Sequence, residues 1–263
     1  MRGFAFRMML AGSLWLAFAA AFVAVFGVGA WAAEQRDGQG AAPAMRAVLV
    51  AGDGELRVFD NGVAGIAGWL RDVAGVEPDG IMRLSASRGV MARQRAGSAS
   101  LHHILRAIEG LKPASGQACF VFVTSHGIEG EGVALSYDDS VLRPAALDRA
   151  LAIGCGDAPT VAIVSACYSG SFARPPMARA NRIVLTAARA DRPSFGCGAD
   201  EIYTFFDECL LDSLGSGKLW RDVFVATQSC VAQREVREDE DPSMPQGWFG
   251  TAVADLPLPR AAR

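Results

Sequence analysis

The chain has 263 residues, 51% of them hydrophobic, and a formal net charge of −3. That balance suits one globular domain of ordinary polarity with room for a large core. The mild acidity argues against a nucleic-acid binder, which would carry a basic stripe.

The N-terminus differs in kind from the rest. Arg2 and Arg7 precede an uncharged stretch from Met8 to Ala33 that contains Ala30-Trp31-Ala32. A basic flank, an apolar run and a small-x-small site read as a secretory signal peptide over residues 1–33. The run is also long enough to remain as a membrane anchor over residues 8–30. Either outcome exports the remainder, because Arg2 and Arg7 stay inside, so a periplasmic or other extracytoplasmic location is expected. Residues 34–44 are small and polar and read as a linker. Residues 45–255 read as the folded domain and residues 256–263 as a C-terminal tail.

Within the domain, short apolar runs alternate with helical patterns. Ala47–Val50 reads as a buried strand, and Val63, Ile66, Ala67, Leu70, Val73 and Ala74 follow a helical period. Ile81–Leu84 is a weaker strand. Leu101, Ile104, Leu105, Ile108 and Leu111 mark a helix with Ser98 or Ser100 as its N-cap. Cys119–Thr124 is a strong buried strand, and Ile128–Ser136 reads as a hairpin after it. Leu147 and Leu151 share one face of a short helix that Pro144 opens. Thr160–Ser165 and Arg182–Thr186 are further strands. Ile202, Phe205, Phe206, Cys209 and Leu210 stripe one helix; Trp220, Val223, Phe224, Thr227, Cys230 and Val231 stripe another. Glu235–Asp241 reads as a solvated acidic loop. Strands and helices alternating in this way predict an α/β fold with a mostly parallel central sheet covered on both faces. Ligands of such sheets bind beyond the carboxyl ends of the strands.

Two of those ends carry chemistry. The strand Cys119–Thr124 runs into Ser125-His126-Gly127, and Thr160–Ser165 runs into Ala166-Cys167-Tyr168-Ser169-Gly170-Ser171. Neighbouring strands lie about 4.8 Å apart, so on adjacent parallel strands His126 and Cys167 would emerge side by side. A thiol is mostly protonated at neutral pH. An imidazole beside it can take its proton and later protonate a leaving amine. Cys167 is therefore the candidate nucleophile and His126 its acid–base partner. The backbone N–H groups of Gly127 and Cys167 are the candidate oxyanion hole, and a helix opening after Cys167 would favour the thiolate. His102 and His103 read as surface residues.

Six cysteines, at 119, 155, 167, 197, 209 and 230, all lie in the exported part. Export permits disulfides, and neither Cys-x-x-Cys nor zinc-finger spacing occurs, so no metal is expected. Cys119 in a central strand is expected to be a buried free thiol. Cys209 and Cys230 are explained by helix packing. Any bridge should use the loop cysteines, Cys197 with Cys230 or Cys155.

The motifs Phe-Val-Thr-Ser-His126-Gly127 and Ile-Val-Ser-Ala-Cys167-Tyr-Ser-Gly-Ser resemble those of the legumain family of cysteine peptidases (peptidase family C13), in the clan that also holds caspases, gingipains and the catalytic subunit of the GPI transamidase. Leu185-Thr186-Ala187-Ala188, Ser194-Phe195-Gly196-Cys197 and Tyr203-Thr204-Phe205-Phe206-Asp207 extend the resemblance over residues 46 to 250. It implies a caspase-like three-layer sandwich, a His–Cys dyad, no cofactor, and a peptide or protein substrate cleaved through a thioester. A transamidase or ligase would use the same dyad, and a non-catalytic binding scaffold is the third reading.

The departures concern specificity. Legumains carry an acidic residue two before the nucleophile, where this chain has Ser165, and an Arg-His pair after the first strand, where it has Val58-Phe59-Asp60-Asn61. Ser194 and Asp207 match positions that line the family's pocket. Asp60, Ser165, Ser194 and Asp207 together are acceptor-rich with no fixed cation. That set predicts a preference for Arg or Lys before the scissile bond, unless Arg192 folds back to supply a donor.

Overall fold

The apolar runs assemble into one sheet because each must bury two faces. In the computed structural model, residues 42–261 are described. The chain divides into two units, Met1–Gly40 and Ala41–Arg263, and the signal or anchor segment with most of the linker lies outside the described residues. The strands and helices of the second unit are β1 (Ala44–Ala51), α1 (Arg57–Asp72), β2 (Ile81–Ser85), α2 (Arg88–Gln94), β3 (Gly97–Ser98), α3 (Leu101–Glu109), β4 (Gln117–Thr124), β5 (Gly127–Ile128), β6 (Gly132–Leu135), β7 (Ser140–Leu142), α4 (Pro144–Cys155), β8 (Thr160–Ser165), β9 (Arg182–Thr186), α5 (Phe205–Leu214), α6 (Trp220–Arg237) and β10 (Gln246–Phe249). No helix among the described residues is long and apolar enough to cross a membrane.

The main sheet has seven strands in the order β10-β9-β8-β4-β1-β2-β3. All its pairings are parallel except that of β10 with β9. Side-chain alternation along β4 sends Ala118, Phe120 and Phe122 to one face and Cys119, Val121 and Val123 to the other. The first face is covered by α1, α5 and α6 through Phe59, Ile66, Leu70, Phe206, Leu210 and Trp220. The second is covered by α3 and α4 through Ile104, Ile108, Leu147 and Leu151. The result is the expected three-layer α/β sandwich. Strand order reverses between β1 and β4: the chain leaves β1 for β2 on one side and β4 for β8 on the other. A crevice opens at such a switch point.

Local signals hold in several places. The Ser100 hydroxyl accepts the His103 N–H as the N-cap of α3, and Pro144 occupies the first turn of α4. The segment after His126 forms a small three-stranded sheet, β5-β6-β7, rather than a single hairpin. Three expectations need correction. Ile202 is 65% exposed and lies before α5, whose N-cap is Thr204. The acidic stretch begins inside α6, and Glu235 is buried, its carboxylate accepting the Ser243 N–H at 3.0 Å. That contact ties the loop that leads into β10, which pairs with β9. The closing segment is also packed: Leu258 is buried, and the Ala261 N–H donates to the Val73 carbonyl at 2.7 Å.

The cysteine expectations are overturned. Cys119 is bridged to Cys155 and Cys209 to Cys230, while Cys167 and Cys197 are free. The physical reason is that a packing stripe and a bridge use the same geometry. Cys119 faces the α4 layer, and α4 ends at Cys155 with their Cα atoms 6.1 Å apart. Cys209 and Cys230 occupy the stripes through which α5 and α6 meet, with Cα atoms 5.6 Å apart. Both separations fall in the bridging range. One disulfide thus reinforces each face of the sheet.

Candidate active site

The site is set by β4 and β8, which run parallel and in register from Cys119↔Thr160 to Thr124↔Ser165. The pairing continues one step further, with the Ser125 N–H donating to the Ser165 carbonyl at 3.1 Å. His126 and Cys167 therefore leave the same edge of adjacent strands. Their contact is close at the backbone: a Cβ added to Gly127 would overlap the Cys167 carbonyl. Glycine at 127 is thus required by the approach of the two strand ends, not by its torsion angles.

The two residues are held in different ways. His126 is half-buried, and its ring stands edge-on to Phe59 of α1 with centroids 5.1 Å apart. Its carbonyl accepts the Ala134 N–H at 2.9 Å. Antiparallel pairs alternate between hydrogen-bonded and non-hydrogen-bonded positions. Because His126 and Ala134 form a bonded position, Gly127 and Val133 form the open one, and the Gly127 N–H points away from β6. Cys167 is half-buried and precedes Tyr168, which adopts the left-handed conformation at φ 57°. The Tyr168 N–H donates to the Arg192 carbonyl at 2.8 Å, fixing that turn. The Cys167 Sγ accepts the Ser194 N–H at 3.3 Å and faces the Ser194 carbonyl at 3.4 Å and its hydroxyl at 3.7 Å. The expected α-helix after Cys167 is only a short 3-10 turn, Ser169–Ala173. The thiol thus rests on the loop that carries Ser194, not on a full helix dipole.

Behind the strand ends lies a buried polar cluster. Asp207, in the first turn of α5, is 1% exposed. Its Oδ2 accepts the Thr124 hydroxyl at 2.8 Å, and its Oδ1 is buried without a partner. Burial pushes its pKa up to about 6; the hydroxyls of Ser165, Thr124 and Thr204 pull the other way and only partly offset it. Gly62 of α1 packs directly on Asp207, since a Cβ there would stand 2.7 Å from Oδ2. Ser165 and Asp207 are therefore together, and Ser194 lies on Cys167.

Asp60 stands elsewhere, on the β2 side of α1. Burial raises its pKa, against a hydrogen bond from Ser85 and the charge of Arg83. Arg83 is a cation the sequence reading did not place, because the β1–β2 register that brings it here is a tertiary property. Arg192 does not fold into the cleft; its Nη1 donates to the Pro242 carbonyl at 3.0 Å. His102 and His103 are exposed.

Sequence reasoning gave no part in the site to Asp53, Phe59 or Gly62. Asp53 follows β1 and accepts the Glu55 and Leu56 N–H groups at 2.9 and 3.1 Å, turning the chain into α1. The Gly52-Asp53-Gly54 sequence after a strand was the available signal. Phe59 and Gly62 had none, since only the packing of α1 brings them to His126 and Asp207.

The sequence model of the peptidase C13 family matches residues 107–253, from α3 to beyond β10, and so spans every residue of the strand-end pair. The chain belongs to the peptidase C13 family. Among solved structures it is similar to caspase-1 from Spodoptera frugiperda, with a TM-score of 0.56 over 80% of this chain and 87% of that one, at 12% identity. That likeness shows the fold. No curated protein matches the sequence. Family membership gives a cysteine-peptidase type of function, with protein or peptide as the class of substrate.

Proposed function

We propose that this C13 family member is an active cysteine endopeptidase with Cys167 as nucleophile and His126 as general acid and base. The observation that carries the reading is the junction of the two strand ends: His126-Gly127 packs on the Cys167 backbone at the carboxyl edge of β4 and β8. In the reaction, the Cys167 thiol gives its proton to His126 and Sγ attacks the scissile carbonyl. The developing oxyanion is met by the Gly127 and Cys167 N–H groups, of which the former is free of β6. His126 then protonates the leaving amine, and water resolves the thioester by the reverse transfers. Export of the domain is part of the proposal. It rests on the N-terminal sequence and accords with the two disulfides, which persist in oxidising compartments.

For specificity, we infer a preference for Arg or Lys before the scissile bond. Asp207 Oδ1 is buried without a partner, and Gly62 of α1 packs directly on the other oxygen of that carboxyl. A buried carboxyl with a spare acceptor is stabilised by a cationic donor and opposed by an acidic one. The test is a peptide-library cleavage profile of the purified protein beside Cys167→Ala. Cleavage after basic residues, absent from the variant, is expected. A profile dominated by Asn or Asp would show that the pocket reading is wrong, and no cleavage in any library would overturn the peptidase reading.

A further inference from the structure

Glu235 lies on α6, outside the site described above, yet it is only 3% exposed. Burying a carboxyl is costly unless it is hydrogen-bonded. The contact it makes is specific: Oε1 accepts the Ser243 N–H at 3.0 Å. Ser243 is fully buried, in a loop whose Asp239 and Met244 both adopt left-handed backbone, at φ 57° and 58°. Non-glycine residues keep that conformation where their surroundings impose it, and Glu235 is part of those surroundings.

From Ser243 a chain of hydrogen bonds leads to Cys167. The Ser243 carbonyl accepts the Arg189 N–H at 2.9 Å, and the neighbouring Pro242 carbonyl accepts Arg192 Nη1 at 3.0 Å. Arg192 closes a turn on Arg189, its N–H donating to the Arg189 carbonyl at 3.1 Å. The Arg192 carbonyl in turn accepts the Tyr168 N–H at 2.8 Å, and Ser194, two residues on, donates its N–H to the Cys167 Sγ at 3.3 Å. A shift of Ser243 is therefore passed to both residues that hold the thiol. The far end of the same loop is fixed separately: Arg234 Nη2 meets the Glu201 carboxylate at 3.0 Å, and its guanidinium lies over the Phe205 ring. Gln228 of α6 also donates to the Pro245 carbonyl at 2.9 Å, but beyond the two carbonyls that touch Arg189 and Arg192.

We propose that Glu235 is a positioning residue: by fixing Ser243 it sets, through Arg189 and Arg192, the turn at Tyr168 and with it the direction of the Cys167 thiol. This rests on the reading of Cys167 as nucleophile. Removing the carboxyl would leave the buried Ser243 N–H unpaired, which the loop can relieve only by moving. The position requires an acceptor rather than a charge, so Gln should serve there and Ala should not.

The test compares the full-length parent with Glu235→Ala, Glu235→Gln and Gln228→Ala. Each is read by peptide cleavage and by hydrogen–deuterium exchange of peptides spanning Tyr168, Ser194 and, as a reference, β4 and β8. Glu235→Ala should lose about 10²-fold in kcat per folded molecule, with KM close to the parent's because Asp207 lies outside the chain of contacts. Its Tyr168 peptide should exchange faster while the reference strands do not. Glu235→Gln should match the parent in both readouts. Gln228→Ala loses a hydrogen bond from the same helix to the same loop and should keep its kcat, as a structural loss alone would. Parental kcat or unchanged Tyr168 exchange in Glu235→Ala would overturn the proposal, as would a Gln variant as slow as the Ala variant. If Glu235→Ala does not fold, Glu235→Asp, whose shorter side chain withdraws the oxygen from Ser243, takes its place with the same expectations. The exchange readout does not depend on turnover. Faster Tyr168 exchange on removal of Glu235, in a protein whose parent cleaves nothing, would leave the coupling standing and remove the peptidase reading.

Discussion

The two faces of the sheet and its carboxyl edge are built on opposite terms. Each face is a closed apolar layer reinforced by a disulfide, Cys119–Cys155 on one and Cys209–Cys230 on the other. The edge holds what a stable core avoids: two free thiols, a residue in the left-handed region at Tyr168, and a buried carboxyl with an unpartnered oxygen at Asp207. Such groups cost free energy wherever they occur. They persist at the edge because the layers beneath over-determine the strand ends. If stability resides in the faces and the proposed chemistry at the edge, changes to each should be separable.

The largest separation is expected from His126→Ala. Loss of the acid–base partner should lower kcat/KM by roughly 10⁴-fold or more, with a melting temperature close to that of the parent. A variant that cleaves at near-parental rates would place the base elsewhere. The converse change is removal of a bridge. Cys119→Ala with Cys155→Ala, and Cys209→Ala with Cys230→Ala, should each cost about 3–4 kcal/mol in denaturant unfolding. The pair separated by 36 residues should cost slightly more than the pair separated by 21. Rates per folded molecule should hold in both. A large drop in those rates would mean that the faces are not independent of the edge.

Asp207 tests the boundary between the two regions. Its carboxyl is raised from an ordinary 3.8 to about 6 by burial, so the folded chain keeps a proton that the unfolded chain has lost. The stability this proton confers is full below pH ~4 and is lost as pH rises through ~6, a cost on the order of 3 kcal/mol at neutral pH. Asp207→Asn should flatten unfolding free energy between those limits. It should also weaken any preference for Arg over Gln before the scissile bond. An unchanged pH profile would mean that the carboxyl is not strained. Gly127→Ala is expected to act on the edge alone. A methyl there must push His126-Gly127 off the Cys167 carbonyl, and such displacements lower kcat by about 10²-fold. Normal kinetics in that variant would show that the two strand ends are not held in contact.

The sheet was readable from the sequence because β1, β4, β8 and β9 are continuous apolar runs, and the candidate pair was readable because His126 and Cys167 directly follow two of them. What escaped was set by packing between elements distant in the chain. Strand β10 is short and polar at its start, and the loop before it is held by Glu235 of α6, a contact that only the tertiary fold creates. The bridges escaped because apolar stripes explain buried cysteines equally well without them. The cleft wall supplied by α1, with Phe59 on His126 and Gly62 beside Asp207, depends on how that helix lies across the sheet.

The most direct test of the account is covalent capture of the nucleophile. The protein would be incubated with peptidyl acyloxymethyl ketones ending in Arg, Asn or Asp, and the modified residue identified by mass mapping. The account predicts one adduct, on Cys167, formed fastest with the Arg reagent, slowed in His126→Ala and absent from Cys167→Ala. Labelling of Cys197 in place of Cys167, or no adduct with any of the reagents, would contradict it.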